Sequence, residues 1–157
     1  RSAKAAADNG HPATVVSSAG ALVRSLTALN AERVAIVTPY VPALTKLVTD
    51  YLEGEGISVL DAVALGVDDN LAVGRLDPAN LPALARNLSR EDADAIVLSA
   101  CVQMPSLASV QLVEDELGLP VISAATATAY ETLLALGHAH AVPGAGSLLA
   151  GVGTKSG

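Results

Sequence analysis

The chain of 157 residues contains no phenylalanine, no tryptophan and only three tyrosines. A chain of this length still buries about 70% of the surface it exposes when unfolded, and 51% of its residues are hydrophobic. Alanine, valine, leucine and isoleucine must therefore build the core, without large aromatic anchors. Cations are scarce as well: nine Lys and Arg against sixteen Asp and Glu leave a net charge of −7. With no aromatic stacking platform beside so few bases, a nucleic-acid partner is excluded as an expectation. One cysteine cannot form an internal disulfide, and a lone thiol suits a reducing compartment. No apolar run approaches the ~18–20 residues that cross a bilayer. The stretch from Arg1 to Gly10 lacks the apolar run of a secretory signal. One domain is expected, soluble and cytoplasmic, with no membrane partner.

What is present is a regular alternation. Arg33–Thr38, Ile57–Leu65, Ala95–Ala100 and Pro120–Ser123 are short apolar runs bounded by turn residues. They do not alternate with polar residues, as expected of parallel strands buried on both faces. Helical stretches separate them. Ser17 and Ser18 can cap a helix reaching about Leu29. Pro42 opens Ala43–Leu52, with Gly54 and Gly56 closing it. Asp77-Pro78 opens a helix to about Leu88, Pro105 and Ser106 open one that Gly118 ends, and Ala124–Leu136 ends at Gly137. The pattern predicts an α/β fold, a four-stranded parallel sheet flanked by helices and ordered 2-1-3-4. Residues 1–16 show no convincing element. Residues 138–157 are rich in Gly, Ala and Pro around one apolar stretch, Ser147–Ala150. Neither end has an evident place on the sheet.

In open α/β sheets, ligands bind beyond the carboxyl ends of the strands. That edge collects Thr38–Pro42, Gly66–Gly74 and Ser99–Pro105, and with them Tyr40, Asn70 and the only cysteine, Cys101. Cys101 leaves a strand and precedes a helix starting near Pro105, whose backbone N–H groups would favour a thiolate or a bound carboxylate. The competing reading is a small buried hydrophobe. Tyr40, between two prolines, either aims its hydroxyl at a ligand or caps the sheet edge. Asn70 either donates its amide to a carboxylate or serves a turn, and Asp68–Asp69 read as a solvated turn rather than a metal site. His138 and His140 have the spacing of a crude chelate without a third ligand. The terminal GVGTKSG lacks phosphate-loop spacing, and Glu114-Asp115-Glu116 reads as a solvated helix face. No Ser-His-Asp triad is supported.

The segment SACVQMPSL (Ser99–Leu107) closely resembles maleate cis-trans isomerases of the aspartate/glutamate racemase superfamily. The likeness extends through VVSSAGAL (Val15–Leu22), VAIVTPYV (Val34–Val41), DNLAVGRLDP (Asp69–Pro78) and GLPVISAATATAYETL (Gly118–Leu133). The resemblance implies one lobe of a two-lobed fold, with an active site between the lobes and one cysteine from each. Residues 17–123 would be the second lobe and residues 124–157 a helix and tail returning toward the first. Residues 1–16 would belong to or lead from that missing lobe. Implied with it is a cofactor-independent isomerase, without a metal, that converts maleate to fumarate through a succinyl-cysteine intermediate. Cys101 matches the second-lobe cysteine that gives and retakes a proton. Tyr40 and Asn70 match residues holding the substrate carboxylates, aided by the Val102 N–H. A homo-oligomer is expected. Two other readings stay open: a racemase or decarboxylase of the same superfamily, and a non-catalytic dicarboxylate-binding module.

Overall fold

Four runs of small and β-branched residues pair as strands in the computed structural model, which describes residues 14–150 together with Lys4 and Asp8. These are β1 (Arg33–Thr38), β2 (Ser58–Ala64), β3 (Ala95–Ser99) and β4 (Val121–Ser123). They form one parallel sheet in the order β2-β1-β3-β4, as the alternating pattern predicts. The helices are α1 (Ser18–Ala28), α2 (Pro42–Gly54), α3 (Asn70–Val73), α4 (Leu81–Asn87), α5 (Leu107–Leu117) and α6 (Ala124–Ala135). Two 3-10 turns, Pro78–Asn80 and Ser147–Leu149, complete the described elements. Among the described residues, no helix is long and apolar enough to cross a membrane.

Side chains alternate across a strand, so each central strand feeds two cores. Val34 and Ile36 of β1, Ala95 and Val97 of β3 and Ile122 of β4 pack with Leu22 and Leu26 of α1, Leu52 of α2 and Ala127 of α6. Their neighbours Ala35, Val37, Ile96, Leu98 and Val121 pack on the other face with Leu81 and Ala85 of α4 and Val110 and Val113 of α5. Local signals set the helix ends. The Ser17 side chain accepts from Gly20 N–H, and Pro42 occupies the first turn of α2. Gly118 ends α5 in the left-handed region at φ 67°, where glycine has no Cβ to clash. Ser123 and Thr126 cap α6 reciprocally.

The structure corrects four expectations. First, β2, at the edge where the predicted order puts it, is not buried on both faces: its residues are exposed or half-buried. A register shift opposite Val34/Ala35 pushes Leu60 out to 41% exposure, a bulge of the kind that blunts sheet edges. Second, the helix expected from Asp77-Pro78 begins as a 3-10 turn, so α4 proper starts only at Leu81. Third, the tail does have a place. Leu148 and Leu149 are buried, and Leu148 joins the core under α1 and α6. Fourth, Glu114 is no mere solvated residue. Its carboxylate accepts from the Val121 N–H at 2.9 Å and from the Ser147 N–H at 2.8 Å, stitching α5, β4 and the tail together. The expectations for residues 1–13 and for GVGTKSG at 151–157 lie outside the described residues.

Candidate active site

The carboxyl edge of the sheet is stiffened before any functional side chain is placed. Thr38, at the end of β1, shares a buried hydrogen bond of 2.6 Å between its hydroxyl and that of Thr45 on α2. Beyond the strands, the two loops keep pairing. Leu65 N–H donates to the Thr38 carbonyl at 2.9 Å, Val67 N–H to that of Pro39 at 2.8 Å, and Gly66 N–H to that of Tyr40 at 3.0 Å. The Tyr40 backbone is thereby fixed. Its half-buried ring packs against the core that contains Val37, Val73, Leu98, Cys101 and Met104.

Cys101 lies just past β3 and is 7% exposed. Ala100 N–H donates to the Val37 carbonyl at 3.1 Å, which ties the loop to β1. The Ser99 hydroxyl donates to the Cys101 carbonyl at 2.8 Å and accepts from the Cys101 N–H at 3.2 Å. As the Pro105-Ser106 signal predicts, α5 starts at Leu107 with Ser106 at its N-cap, although Ser106 makes no side-chain capping bond. Cys101 is therefore outside the first turn of that helix, and its environment is set by Ser99 and Tyr40 instead. Burial is the main cause that pushes the Tyr40 hydroxyl far above the ordinary tyrosine range. Hydrogen bonding to the Cys101 thiol and that group's charge push the same way.

Asn70 opens α3, a short helix in a segment the sequence pattern predicts to be loop. Asp69 caps it, accepting from Leu71 N–H at 2.9 Å, so the Asp68–Asp69 pair serves a turn as expected. The Asn70 side chain is exposed and has no hydrogen-bond partner among the described residues. Gly74 brings this loop to the cysteine loop: a Cβ there would stand 3.9 Å from the Gln103 carbonyl oxygen. Val102 is 49% exposed, and its N–H has no partner among the described residues. Cys101 and Tyr40 thus share one buried cluster, while Asn70 and Val102 stand on the rim of the same sheet edge. Ser99 was missed by sequence reasoning, although a serine two residues before a loop residue is the signature of a side-chain-closed turn.

Two open concavities adjoin this edge. One, of about 240 Å³, is lined by Tyr40 and Ala100 with residues of α1 and α2. The other, of about 510 Å³, runs from Val102 along Ala125, Thr128, Ala129, Thr132 and Leu133. A larger hollow of about 990 Å³ opens at the amino ends of β1 and β3, away from Cys101. Its arginines are already engaged, Arg33 with Asp94 at 2.9 Å and Arg90 with the Arg86 carbonyl at 2.7 Å. Among the described residues, no three His, Cys, Asp or Glu side chains are grouped to hold a metal ion. His140 stacks edge-on against Tyr130 at 5.0 Å.

A doubly wound lobe with a cysteine loop at its carboxyl edge matches the arylmalonate decarboxylase family model over residues 2–149, and the chain belongs to that family. Within the aspartate/glutamate racemase superfamily it matches the maleate isomerases. It is 50% identical over 151 residues to the maleate isomerase of Geobacillus stearothermophilus, covering 96% of this chain and 60% of that protein. The crystal structure of a cysteine-to-alanine maleate isomerase from Pseudomonas putida S16 with maleate superposes with a TM-score of 0.93. It is 48% identical and covers 96% of this chain and 60% of that one. A cysteine-to-serine Nocardia farcinica maleate cis-trans isomerase, solved with a covalently bound succinylcysteine intermediate, gives a TM-score of 0.91. It is 51% identical, covering 94% of this chain and 60% of that one. The chain spans about 60% of the length of such relatives, the share expected of one lobe with its tail in a two-lobed fold.

Proposed function

We propose that this chain is the second lobe, with its tail, of a cofactor-independent maleate cis-trans isomerase. The observation that carries the reading is the pairing of Cys101 with Tyr40 in one buried cluster at the ligand-binding edge. Its support is the similarity to maleate isomerases, one of them holding a succinylcysteine. Residues 17–123 form the lobe in this reading, residues 124–157 lead back toward a first lobe, and residues 1–16 belong to or lead from that first lobe. That lobe supplies a second cysteine and covers the apolar groove beside Val102. Exposed Leu44, Leu47 and Tyr51 on α2 support self-association, and the reduced thiol supports a cytoplasmic setting.

The chemistry follows from the geometry. Maleate is a dianion, and neutral donors can bind it without a metal. The Tyr40 hydroxyl stays protonated across the physiological range and so remains a donor. Asn70 and the Val102 N–H supply further neutral donors on the rim. The first-lobe thiolate adds to one olefinic carbon while the Cys101 thiol protonates the other, giving a succinyl thioether. The former double bond, now single, rotates. The Cys101 thiolate then removes a proton from the carbon that it protonated, the double bond re-forms, and the first-lobe thiolate leaves with fumarate released. Covalent attachment replaces one large torsional barrier with two smaller steps.

The test is the full-length protein with maleate, free of metal and nucleotide, followed by proton NMR. Fumarate should form, and Cys101→Ser should abolish it. No fumarate from folded protein would overturn the reading. The match to the arylmalonate decarboxylase family over residues 2–149 favours a second reading, a decarboxylase. That activity would release carbon dioxide from an arylmalonate, and the isomerase would leave that substrate untouched. A pure binding module would keep dicarboxylate affinity after Cys101→Ser and have no turnover to lose.

A further inference from the structure

One hydroxyl holds both backbone polar groups of Cys101. Ser99, fully buried at the end of β3, donates to the Cys101 carbonyl at 2.8 Å and accepts from the Cys101 N–H at 3.2 Å. The intervening Ala100 N–H is bound to β1 at 3.1 Å. The backbone from Ser99 through the Cys101 carbonyl therefore has few ways to move. The consequence appears one peptide further on. A trans peptide is planar, with its C=O and N–H pointing in opposite directions. The Cys101 carbonyl turns inward to Ser99, so the N–H of the same peptide, which belongs to Val102, turns outward. That N–H has no partner among the described residues, and Val102 is 49% exposed.

We propose that Ser99 is a positioning residue: its hydroxyl sets the Cys101–Val102 peptide so that the Val102 N–H faces an incoming carboxylate while the thiol is held beside Tyr40. The inference rests on the dicarboxylate site proposed above and adds the residue that orients it. An alanine at position 99 leaves the Cys101 N–H and C=O without their partner in a buried loop, and the peptide is free to rotate toward other bonds. A threonine keeps the hydroxyl.

Two measurements on the ¹⁵N-labelled full-length protein separate this inference from the functional reading. The first needs no ligand. In the native protein, amide exchange should be slow at Cys101 and fast at Val102. Ser99→Ala should speed Cys101 exchange by about tenfold or more, and Ser99→Thr should restore it. Unchanged protection at Cys101 in the alanine variant would overturn the clamp, whatever the protein binds. The second uses succinate, a saturated dicarboxylate that cannot isomerise. It should shift the Val102 amide proton downfield in the native protein and bind Ser99→Ala about tenfold or more weakly. KM for maleate should rise by a similar factor with a smaller change in kcat, as for a binding contact. Equal succinate affinity and an equal Val102 shift in the alanine variant would overturn the proposal and leave the isomerase standing. A native protein inert to maleate would instead sink the isomerase reading, and the exchange experiment would still decide the clamp.

Discussion

Replacing Gly146 by alanine probes whether the tail is seated where the structure puts it. Gly146 adopts φ 82° and ψ 172°, a region essentially closed to residues with a side chain and worth about 1–3 kcal/mol of strain. The added Cβ would also stand 2.8 Å from Val110 Cγ1, 2.9 Å from the Val121 carbonyl oxygen and 3.2 Å from Glu114 Oε2. The Val121 carbonyl is part of β4 and Val110 is fully buried, so neither yields easily. Such overpacking adds about 1–3 kcal/mol, giving about 2–6 kcal/mol in all. Gly144 is the control. It too has a positive φ, 77°, but open space within 4 Å of its Cβ position, so Gly144→Ala should lose only about 1–2 kcal/mol. Urea unfolding followed by circular dichroism at 222 nm suits a chain without tryptophan. If both variants lose the same stability, the tail does not press against β4 and α5, and the reasoning fails.

Two further outcomes are expected. Glu114→Gln keeps an acceptor oxygen but loses the charge that Val121 N–H, Ser147 N–H and the Ser147 hydroxyl now share. It should lose about 2–3 kcal/mol and be less than additive with Gly146→Ala, because the two touch. Native-like stability in the same urea assay would remove the stitch from the account. For Tyr40 the sign follows from its raised folded-state value. Both states are protonated below the unfolded tyrosine value of about 10, and stability is whole there. Above it the unfolded chain releases a proton that folded Tyr40 retains, so stability falls as pH rises toward the folded value. Absorbance at 295 nm should show one tyrosine ionising late, and Tyr40→Phe should remove that step. A late step surviving in the phenylalanine variant would assign it elsewhere.

The sheet was legible because its determinants are local and repeated. Runs such as Val34–Val37 and Ile96–Leu98 have no polar position to expose, and the proline, serine and glycine signals bracket α1, α2, α5 and α6 within a few residues. Crossover rules then order the strands. The predicted order puts β2 at the edge, but its burial was misjudged because what covers an edge strand is a property of the assembled sheet, and Asp61 was the one hint. Its carboxylate accepts from Ser89 N–H at 2.8 Å, an edge device invisible in an apolar run. The tail and Glu114 were missed for the same reason: their partners lie far apart along the chain, and nothing local marks them. At the site, the edge rule and the quoted resemblance placed Cys101, Tyr40, Asn70 and Val102 together. The Pro105-Ser106 signal marks the start of α5 at Leu107, but that first turn lies too far past Cys101 to set the surroundings of the thiol. The hydroxyl of Ser99 escaped because a serine inside a buried strand reads as one more small residue.

The rungs that join Thr38, Pro39 and Tyr40 to Leu65, Val67 and Gly66 bear on how the proposed dicarboxylate site could be redesigned. They make the loop carrying Tyr40 and the loop leading to Asn70 a single splint, closed at one end by the sheet and at the other by α3. A library that varies one loop while holding the other constant would mostly sample broken splints, and its losses would be blamed on the wrong side chain. Loops exchanged as a matched pair, with α3 carried along, would keep the rim rigid and let the chemistry of the proposed donors be the only thing that changes.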